Sequence, residues 1–149
     1  MLYCGRVVAG DKLGRKLGYP TANLEIDPSV FPKDGVYAAR VYGDKVCIRL
    51  GAVSVGTRPT VAGSQRLFEV YIPEFKGNLY GTELKVSLIK KIRNQKKFAS
   101  IEELKRQIKE DVREVLKFKT IDPVKDRRIP DRKRTSRLLG SRKSQPKKD

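Results

Sequence analysis

The most regular pattern in this sequence is the segment Phe68-Glu69-Val70-Tyr71-Ile72, in which apolar and polar side chains alternate. In an extended chain Phe68, Val70 and Ile72 share one face, whereas Glu69 and Tyr71 point the other way. The segment therefore predicts a strand that turns one face to a core and presents Glu69 on the opposite face.

Similar alternation occurs on both sides of this strand. It is present at residues 46–50 and 84–88, and the segments 5–9 and 35–42 also look extended. Gly43-Asp44 predicts a two-residue hairpin turn. Several short strands followed by one helix favour a small antiparallel barrel or sandwich.

The helix follows the last strand. Ser100 and Glu103 have the spacing of a capping box, in which each side chain satisfies a backbone N–H of the first turn. Apolar residues then recur every three to four positions, at Ile101, Leu104, Ile108, Val112 and Val115. This stripe predicts a helix that packs against the barrel.

Charge divides the 149 residues into two parts. The chain has 34 basic and 17 acidic residues and no histidine, a net charge of +17. Residues 120–149 hold eleven basic and four acidic side chains with little apolar surface, which predicts a disordered extension. We therefore expect one folded domain at 1–119 and a basic tail that could contact nucleic acid through phosphates.

Composition also excludes several chemistries. Without histidine there is no imidazole base and no His-ligated metal, so acid–base work falls to other side chains. Cys4 and Cys47 are too far apart for a CxxC pair, and we expect them to be reduced core residues. No apolar run is long enough to span a membrane, so we expect a cytoplasmic protein.

A glycine-rich segment at 10–18 interleaves three glycines with Lys12, Arg15 and Lys16. Such a backbone can approach an anion closely and surround it with N–H groups and cations, so the segment is a candidate phosphate loop. It matches neither the Walker pattern nor the dinucleotide fingerprint, and a turn without a ligand would look the same.

Polar residues with neutral oxygens come next, in Pro20-Thr21-Ala22-Asn23. In an extended chain Thr21 and Asn23 point to one side, where they could hold Mg²⁺ that is already bound to nucleotide phosphates. An Asx or Ser/Thr turn is the alternative. Glu69 is the best candidate for a general base in this chain, unless it is simply a solvent-facing strand residue.

Together these segments resemble the riboflavin kinase (flavokinase) family, from about Leu2 to Leu116. The resemblance rests on Gly5-Arg-Val-Val-Ala-Gly10, Gly14-Arg-Lys-Leu-Gly-Tyr-Pro-Thr-Ala-Asn23, Gly35-Val-Tyr-Ala, Val55-Gly-Thr-Arg-Pro-Thr60, Phe68-Glu-Val70, Leu79-Tyr-Gly81 and Lys91-Ile-Arg93 with Lys97-Phe98. It implies a six-stranded antiparallel Greek-key barrel with one C-terminal helix. It also implies transfer of the γ-phosphoryl group of ATP to riboflavin, with Mg²⁺, to give FMN and ADP.

The resemblance also implies roles for individual residues. Gly10 and Arg15 fall where the family contacts nucleotide phosphates, and Thr21 and Asn23 fall on its Mg²⁺ and phosphate ligands. Glu69 falls on the carboxylate that accepts the proton of the substrate hydroxyl. The remaining positions are those of the nucleotide-side wall, Ile72, Glu74 and Tyr80, and those of the flap over the flavin, Arg93, Lys96 and Phe98.

The FMN adenylyltransferase domain of bacterial relatives uses a His-x-Gly-His motif. This chain has no histidine, so we expect it to make FMN and stop there. We also expect the protein to be a monomer. A basic barrel that binds nucleic acid is the main alternative. Proteins that stack bases place aromatic residues beside basic ones, whereas the aromatic residues of this chain are scattered. A barrel that stores or reduces flavin without phosphorylating it is another.

Overall fold

The computed structural model describes residues 2–9 and 18–120, without the side chain of Thr120. Met1, the glycine-rich segment at 10–17 and the tail from residue 121 lie outside the described residues. The predictions for Gly10, Arg15 and the state of the tail therefore concern residues that the structure does not describe.

The described residues form six strands and one α-helix. The strands are β1 Leu2–Val8, β2 Ala22–Glu25, β3 Gly35–Gly43, β4 Cys47–Thr60, β5 Gly63–Tyr71 and β6 Glu83–Arg93, and the helix is α1 Ile101–Leu116. Short 3-10 turns occupy Pro28–Val30 and Lys117–Thr120.

The six strands close into a barrel in the order β1-β2-β5-β4-β3-β6, and every neighbouring pair is antiparallel. The two ends of the sheet meet where β1 pairs with β6, with Leu2 opposite Ser87 and Arg6 opposite Glu83. The predicted six-stranded antiparallel barrel with a C-terminal helix is confirmed.

Alternating side chains fill the barrel. Phe68 and Val70 are each 1% exposed, whereas Glu69 and Tyr71 between and after them are only partly buried. Leu84 and Val86 fill the same core from β6. The alternation therefore predicts correctly which residues of β5 and β6 face the core, because successive strand residues point to opposite faces.

Strand β3 is buried on both faces, which explains where the helix lies. Tyr37, Ala39 and Val41 belong to the barrel core. Ala38 and Arg40 point outward, yet they are also buried, at 0% and 4% exposure, and α1 packs against β3 and β4. The predicted docking of the helix on the barrel is thus observed.

The helix begins as predicted. The Ser100 hydroxyl accepts a hydrogen bond from the Glu103 N–H at 3.1 Å, and a Glu103 carboxylate oxygen accepts one from the N–H of Ala99. The apolar stripe is not uniformly covered, because Ile101 in the first turn is 48% exposed whereas Val115 in the last turn is fully buried.

The turn between β3 and β4 is longer than expected. Gly43 is part of β3 and pairs with Cys47, so the connection contains three residues rather than the two of Gly43-Asp44. Val46 donates its N–H to the Gly43 carbonyl, and Cys47 takes a left-handed conformation with φ 58°.

The expectation that both cysteines lie in the core is wrong. Cys4 and Cys47 are free and exposed. Cys4 alternates with the buried residues Tyr3 and Gly5 of β1, so the strand period places its side chain on the outer face. Cys47 lies at the tip of a hairpin, where the chain reverses outside the barrel.

Candidate active site

The candidate site is built on the pairing of β2 with β5. Asn23 lies opposite Glu69 in this register, and Ala22 lies opposite Val70. Ala22 and Val70 belong to the core, so their neighbours Asn23 and Glu69 occupy the outer face of the barrel. Backbone pairing thus brings together an amide and a carboxylate that are 46 positions apart in the sequence.

Thr21 completes this group. It immediately precedes β2, and its hydroxyl donates a hydrogen bond to Oε1 of Glu69 at 3.0 Å. Asn23 is 9% exposed, whereas Thr21 is exposed and Glu69 is partly exposed. The structure therefore places Thr21, Asn23 and Glu69 side by side, with the hydroxyl and the carboxylate open to a ligand.

Two clefts meet at this group. The first, which we call the helix-side cleft, has a volume of about 220 Å³ and lies between β5 and the apolar stripe of α1. Its wall includes Glu69 and Tyr71 on one side and Leu104, Ile108 and Val112 on the other. It is an apolar slot with a carboxylate at one edge.

The second cleft, which we call the loop-side cleft, has a volume of about 300 Å³ and lies under the segment that joins β5 to β6. Ile72 and Tyr80 line it, two of the residues predicted for the nucleotide-side wall. Thr21 lines both clefts. A molecule in either cleft therefore reaches the Thr21–Glu69 hydrogen bond.

Glu74, the third residue predicted for the nucleotide-side wall, lies elsewhere. It lines a separate groove together with Arg49 and Leu50. The Phe75 N–H bonds to the Ile72 carbonyl, and Glu74 has φ 64°, the geometry of a type II turn with proline in its second position. This turn points Glu74 away from the loop-side cleft.

The far end of the helix-side cleft is closed by an ion pair. Arg93 donates to both carboxylate oxygens of Asp111, with Nε–Oδ1 at 2.8 Å and Nη2–Oδ2 at 2.7 Å. The side chains are 18% and 7% exposed, and Gln107 donates a further hydrogen bond to Oδ1. The pair ties the end of β6 to the middle of α1.

The segment between β6 and α1 carries the other two residues predicted for the flap. Phe98 lines the helix-side cleft, with the Arg93 guanidinium 5.8 Å and the Lys96 ammonium 5.3 Å from the centre of its ring. Lys96 faces a shallower outer cleft beyond Phe98. The structure therefore brings Arg93 and Phe98 to the helix-side cleft and leaves Lys96 behind them.

Tyr71, which lines this cleft, has an altered pKa. Burial raises the pKa of its phenol above the ordinary value of 10.0, and the nearby Tyr19 and Glu74 raise it further. The rings of Tyr19 and Tyr71 meet edge to face, 5.5 Å between centres. This contact holds the segment before β2 against β5.

The donors present suit a hard cation that brings ligands of its own. Among residues 2–9 and 18–120 no three Asp, Glu, Cys or His side chains cluster closely enough to hold a metal ion. Thr21 and Asn23 instead offer neutral oxygens beside one carboxylate. This set fits Mg²⁺, which keeps several waters and takes other ligands from phosphate oxygens.

Comparison with known proteins assigns the chain to a family. The flavokinase family model, described as riboflavin kinase, matches residues 1–119. The chain belongs to the riboflavin kinase family. The predicted resemblance is confirmed, and the family assignment does not favour the alternative of a nucleic-acid-binding barrel.

The chain is similar to part of two longer curated proteins. The bifunctional riboflavin kinase/FMN adenylyltransferase of Escherichia coli K12 is 49% identical over 107 residues, which cover 72% of this chain and 34% of the relative. The protein of the same name from Haemophilus influenzae is 44% identical over 108 residues. The chain thus spans about a third of the length of these curated relatives.

Solved structures share the fold. Riboflavin kinase from Trypanosoma brucei aligns with a TM-score of 0.56 at 23% identity, over 97% of this chain and 91% of that one. A protein from Streptococcus pneumoniae described as a macrolide-efflux protein aligns with a TM-score of 0.69 at 37% identity, over 75% of this chain and 37% of that one. In the described part of this chain, no helix is long and apolar enough to cross a membrane.

The sequence analysis did not predict two polar side chains that line the helix-side cleft, Asp111 and Gln95. Asp111 lies three residues after Ile108 and four before Val115, so it falls within the apolar stripe of α1. A carboxylate at such a position predicts a basic partner on the surface that the helix packs against. Gln95 gave no such signal. Its amide donates to Ser54 Oγ at 2.8 Å and to the Val55 carbonyl at 3.0 Å, which anchors the flap segment to β4.

Proposed function

We propose that this chain transfers the γ-phosphoryl group of ATP to the terminal ribityl hydroxyl of riboflavin, giving FMN and ADP. Family membership supports this reaction, and so do the names of the relatives. The observation that carries it is the position of Thr21, which lines both clefts and donates a hydrogen bond to Glu69. Two substrates that occupy the two clefts would meet at that point.

In this proposal riboflavin occupies the helix-side cleft. Leu104, Ile108 and Val112 supply an apolar wall for a flat ring system, and Phe98 lies at its edge. The ribityl chain then runs toward Glu69, whose carboxylate accepts the hydrogen bond of Thr21. Arg93 shapes the far end of the cleft through its pair with Asp111.

ATP occupies the loop-side cleft, with its phosphates directed to Thr21. The volume of about 300 Å³ is at the lower end of the range for small-molecule sites. Ile72 and Tyr80 form part of the wall on the nucleotide side. Gly10 and Arg15, which lie outside the described residues, are assigned to the phosphates on the resemblance alone.

Glu69 acts as the general base. Its carboxylate accepts the proton of the ribityl hydroxyl as that oxygen bonds to the γ-phosphorus, and the bond to the β,γ-bridging oxygen breaks to release ADP. Phosphoryl transfer depends chiefly on positioning and charge neutralisation. Thr21 holds the carboxylate through its hydroxyl and keeps it at the junction of the clefts.

Thr21 and Asn23 would hold Mg²⁺ together with the nucleotide phosphates. When bound, the ion would neutralise charge on the phosphate oxygens. Both side chains are neutral, so they add no negative charge beside the triphosphate, and the net charge of +17 favours binding of anions overall.

The proposal extends to location and organisation. We assign the activity to residues 1–119 acting as a monomer in the cytoplasm, where ATP is available, with residues 120–149 as a separate basic extension. Contact with nucleic acid is assigned only to that extension.

The reaction is tested by incubating the purified chain with riboflavin, ATP and MgCl₂ and separating flavins by chromatography. FMN should accumulate with the wild type and fall at least tenfold in Thr21→Ala. Thr60→Ala, at the exposed end of β4, is the matched control and should behave as wild type. Absence of FMN with the folded wild-type protein would refute the proposal.

A further inference from the structure

A groove on the outer face of the barrel is separate from both clefts. It has a volume of about 330 Å³ and lies where the end of α1 crosses β3 and β4. We call it the end groove. None of the residues that line it lines the helix-side or the loop-side cleft, so the proposed reaction does not account for it.

The end groove combines an apolar floor with basic walls. Ile48, Leu50, Leu116 and Phe118 contribute apolar surface. A floor of this kind favours an occupant that buries apolar side chains of its own.

The walls carry three cations, Arg40, Arg49 and Lys119, and one carboxylate, Glu74. Arg49 is exposed, and three cations against one carboxylate leave the groove with a net positive charge. The charge of the groove therefore favours an occupant with at least one acidic group.

The described chain ends at this groove. Leu116, Phe118 and Lys119 line it, and the final 3-10 turn ends at Thr120. The next residues are Ile121-Asp122-Pro123-Val124-Lys125-Asp126. At about 3.5 Å per extended residue, Asp122 is within about 7 Å of Thr120 along the chain.

This short segment differs from the remainder of the tail. Residues 121–126 hold two acidic and one basic side chain and two large apolar residues, whereas residues 127–149 hold ten basic and two acidic ones. An acidic, apolar segment therefore leaves the fold directly beside a basic, apolar groove.

We propose that residues 121–126 bind in the end groove of the same chain. Ile121 and Val124 cover the apolar floor, and Asp122 pairs with Arg49 at its exposed rim. The basic extension then begins near residue 127. Covalent attachment gives this segment a high effective concentration, which favours it over a free anion of the same charge.

Hydrogen exchange on the full chain tests this proposal. The backbone amides of residues 121–126 should exchange about tenfold more slowly than those of residues 133–149, apart from Pro123 and Pro146, which have no N–H. Arg49→Glu should remove that protection, and adding Asp122→Arg to it should restore the protection. Asp126→Arg alone should leave it unchanged, because the proposal pairs Arg49 with Asp122.

Two controls separate docking from unfolding. Slow amide exchange in β3 shows that a variant is folded. Lys109→Glu, on the exposed face of α1, makes the same charge change away from the groove and should leave the protection of residues 121–126 unchanged. If Arg49→Glu is unfolded, Arg49→Gln replaces it and should also reduce the protection, because it removes the charge that Asp122 pairs with. Wild-type exchange at 121–126 as fast as at 133–149 would overturn the proposal.

A free anion is the competing occupant. If inorganic pyrophosphate slows exchange at Leu116–Lys119 in the wild type while Asp122→Arg leaves exchange at 121–126 unchanged, the groove is a site for small anions and the proposal fails.

Discussion

The two walls of the helix-side cleft are held in place by different interactions. On the strand wall, Glu69 is positioned by the backbone pairing of β5 with β2, and its side chain stays partly exposed. On the helix wall, Asp111 is held by a largely buried ion pair with Arg93 at the end of β6. Substitutions should therefore affect chemistry on one wall and stability on the other.

The largest expected effect tests the strand wall. Glu69→Gln should lower turnover by about 10²–10⁴-fold, the range for loss of a general base, with a free energy of unfolding close to that of the wild type. Steady-state FMN formation and urea denaturation measure the two quantities. Glu102→Gln on the exposed face of α1 is the control. Turnover near the wild-type value would remove Glu69 from the mechanism.

The next effect tests the helix wall. Asp111→Ala should lower the free energy of unfolding by about 3 kcal/mol, because it leaves the Arg93 guanidinium partly buried without its carboxylate. Replacing both partners, as in Arg93→Met with Asp111→Leu, should cost less than the single change. Urea denaturation of the three variants measures this, and a loss below 1 kcal/mol in Asp111→Ala would contradict the distinction between the walls.

A smaller effect concerns the start of the helix wall. Ser100→Ala should destabilise the protein by about 1 kcal/mol, because the N–H of Glu103 loses its acceptor. Ser87→Ala, in the middle of β6, is the control and should change the free energy of unfolding less. Equal losses in the two variants would show that the cap has no specific role.

The smallest effect is a pH dependence on the strand wall. The pKa of Tyr71 is raised by burial and by Tyr19 and Glu74, so the folded state binds the phenolic proton more tightly than the unfolded state. That contribution is complete below about pH 10, the ordinary pKa, and is lost as pH rises through the folded-state value. Wild-type stability should therefore fall more steeply above pH 10 than that of Tyr71→Phe, whereas parallel curves would contradict the assignment.

The sequence predicted the strand wall better than the helix wall. Alternation with a period of two placed Glu69 on the strand face opposite to that of Phe68 and Val70. The two-residue spacing placed Thr21 and Asn23 on the same face of an extended segment, because side chains alternate between the two faces of a strand. The pairing of Arg93 with Asp111 depends on where α1 crosses the barrel, which the local pattern does not specify.

Turns account for the other differences between the predicted and the observed positions of the site residues. The type II turn after Ile72 moves Glu74 to the end groove, although the alternation before it is regular. The shared position of Thr21 depends on how the segment between β5 and β6 folds back toward β1, where Gly81 donates its N–H to the Val7 carbonyl. Such contacts join distant parts of the chain and leave no local signal.

The pairing of β1 with β6 has a consequence for synthesis on the ribosome. Leu2 finds its partner Ser87 only after more than eighty further residues have been made. Until then the first strand has an unpaired edge, which in a nascent chain invites aggregation. The barrel therefore stays open until β6 has been made, because β6 pairs with both β1 and β3 and so closes the sheet.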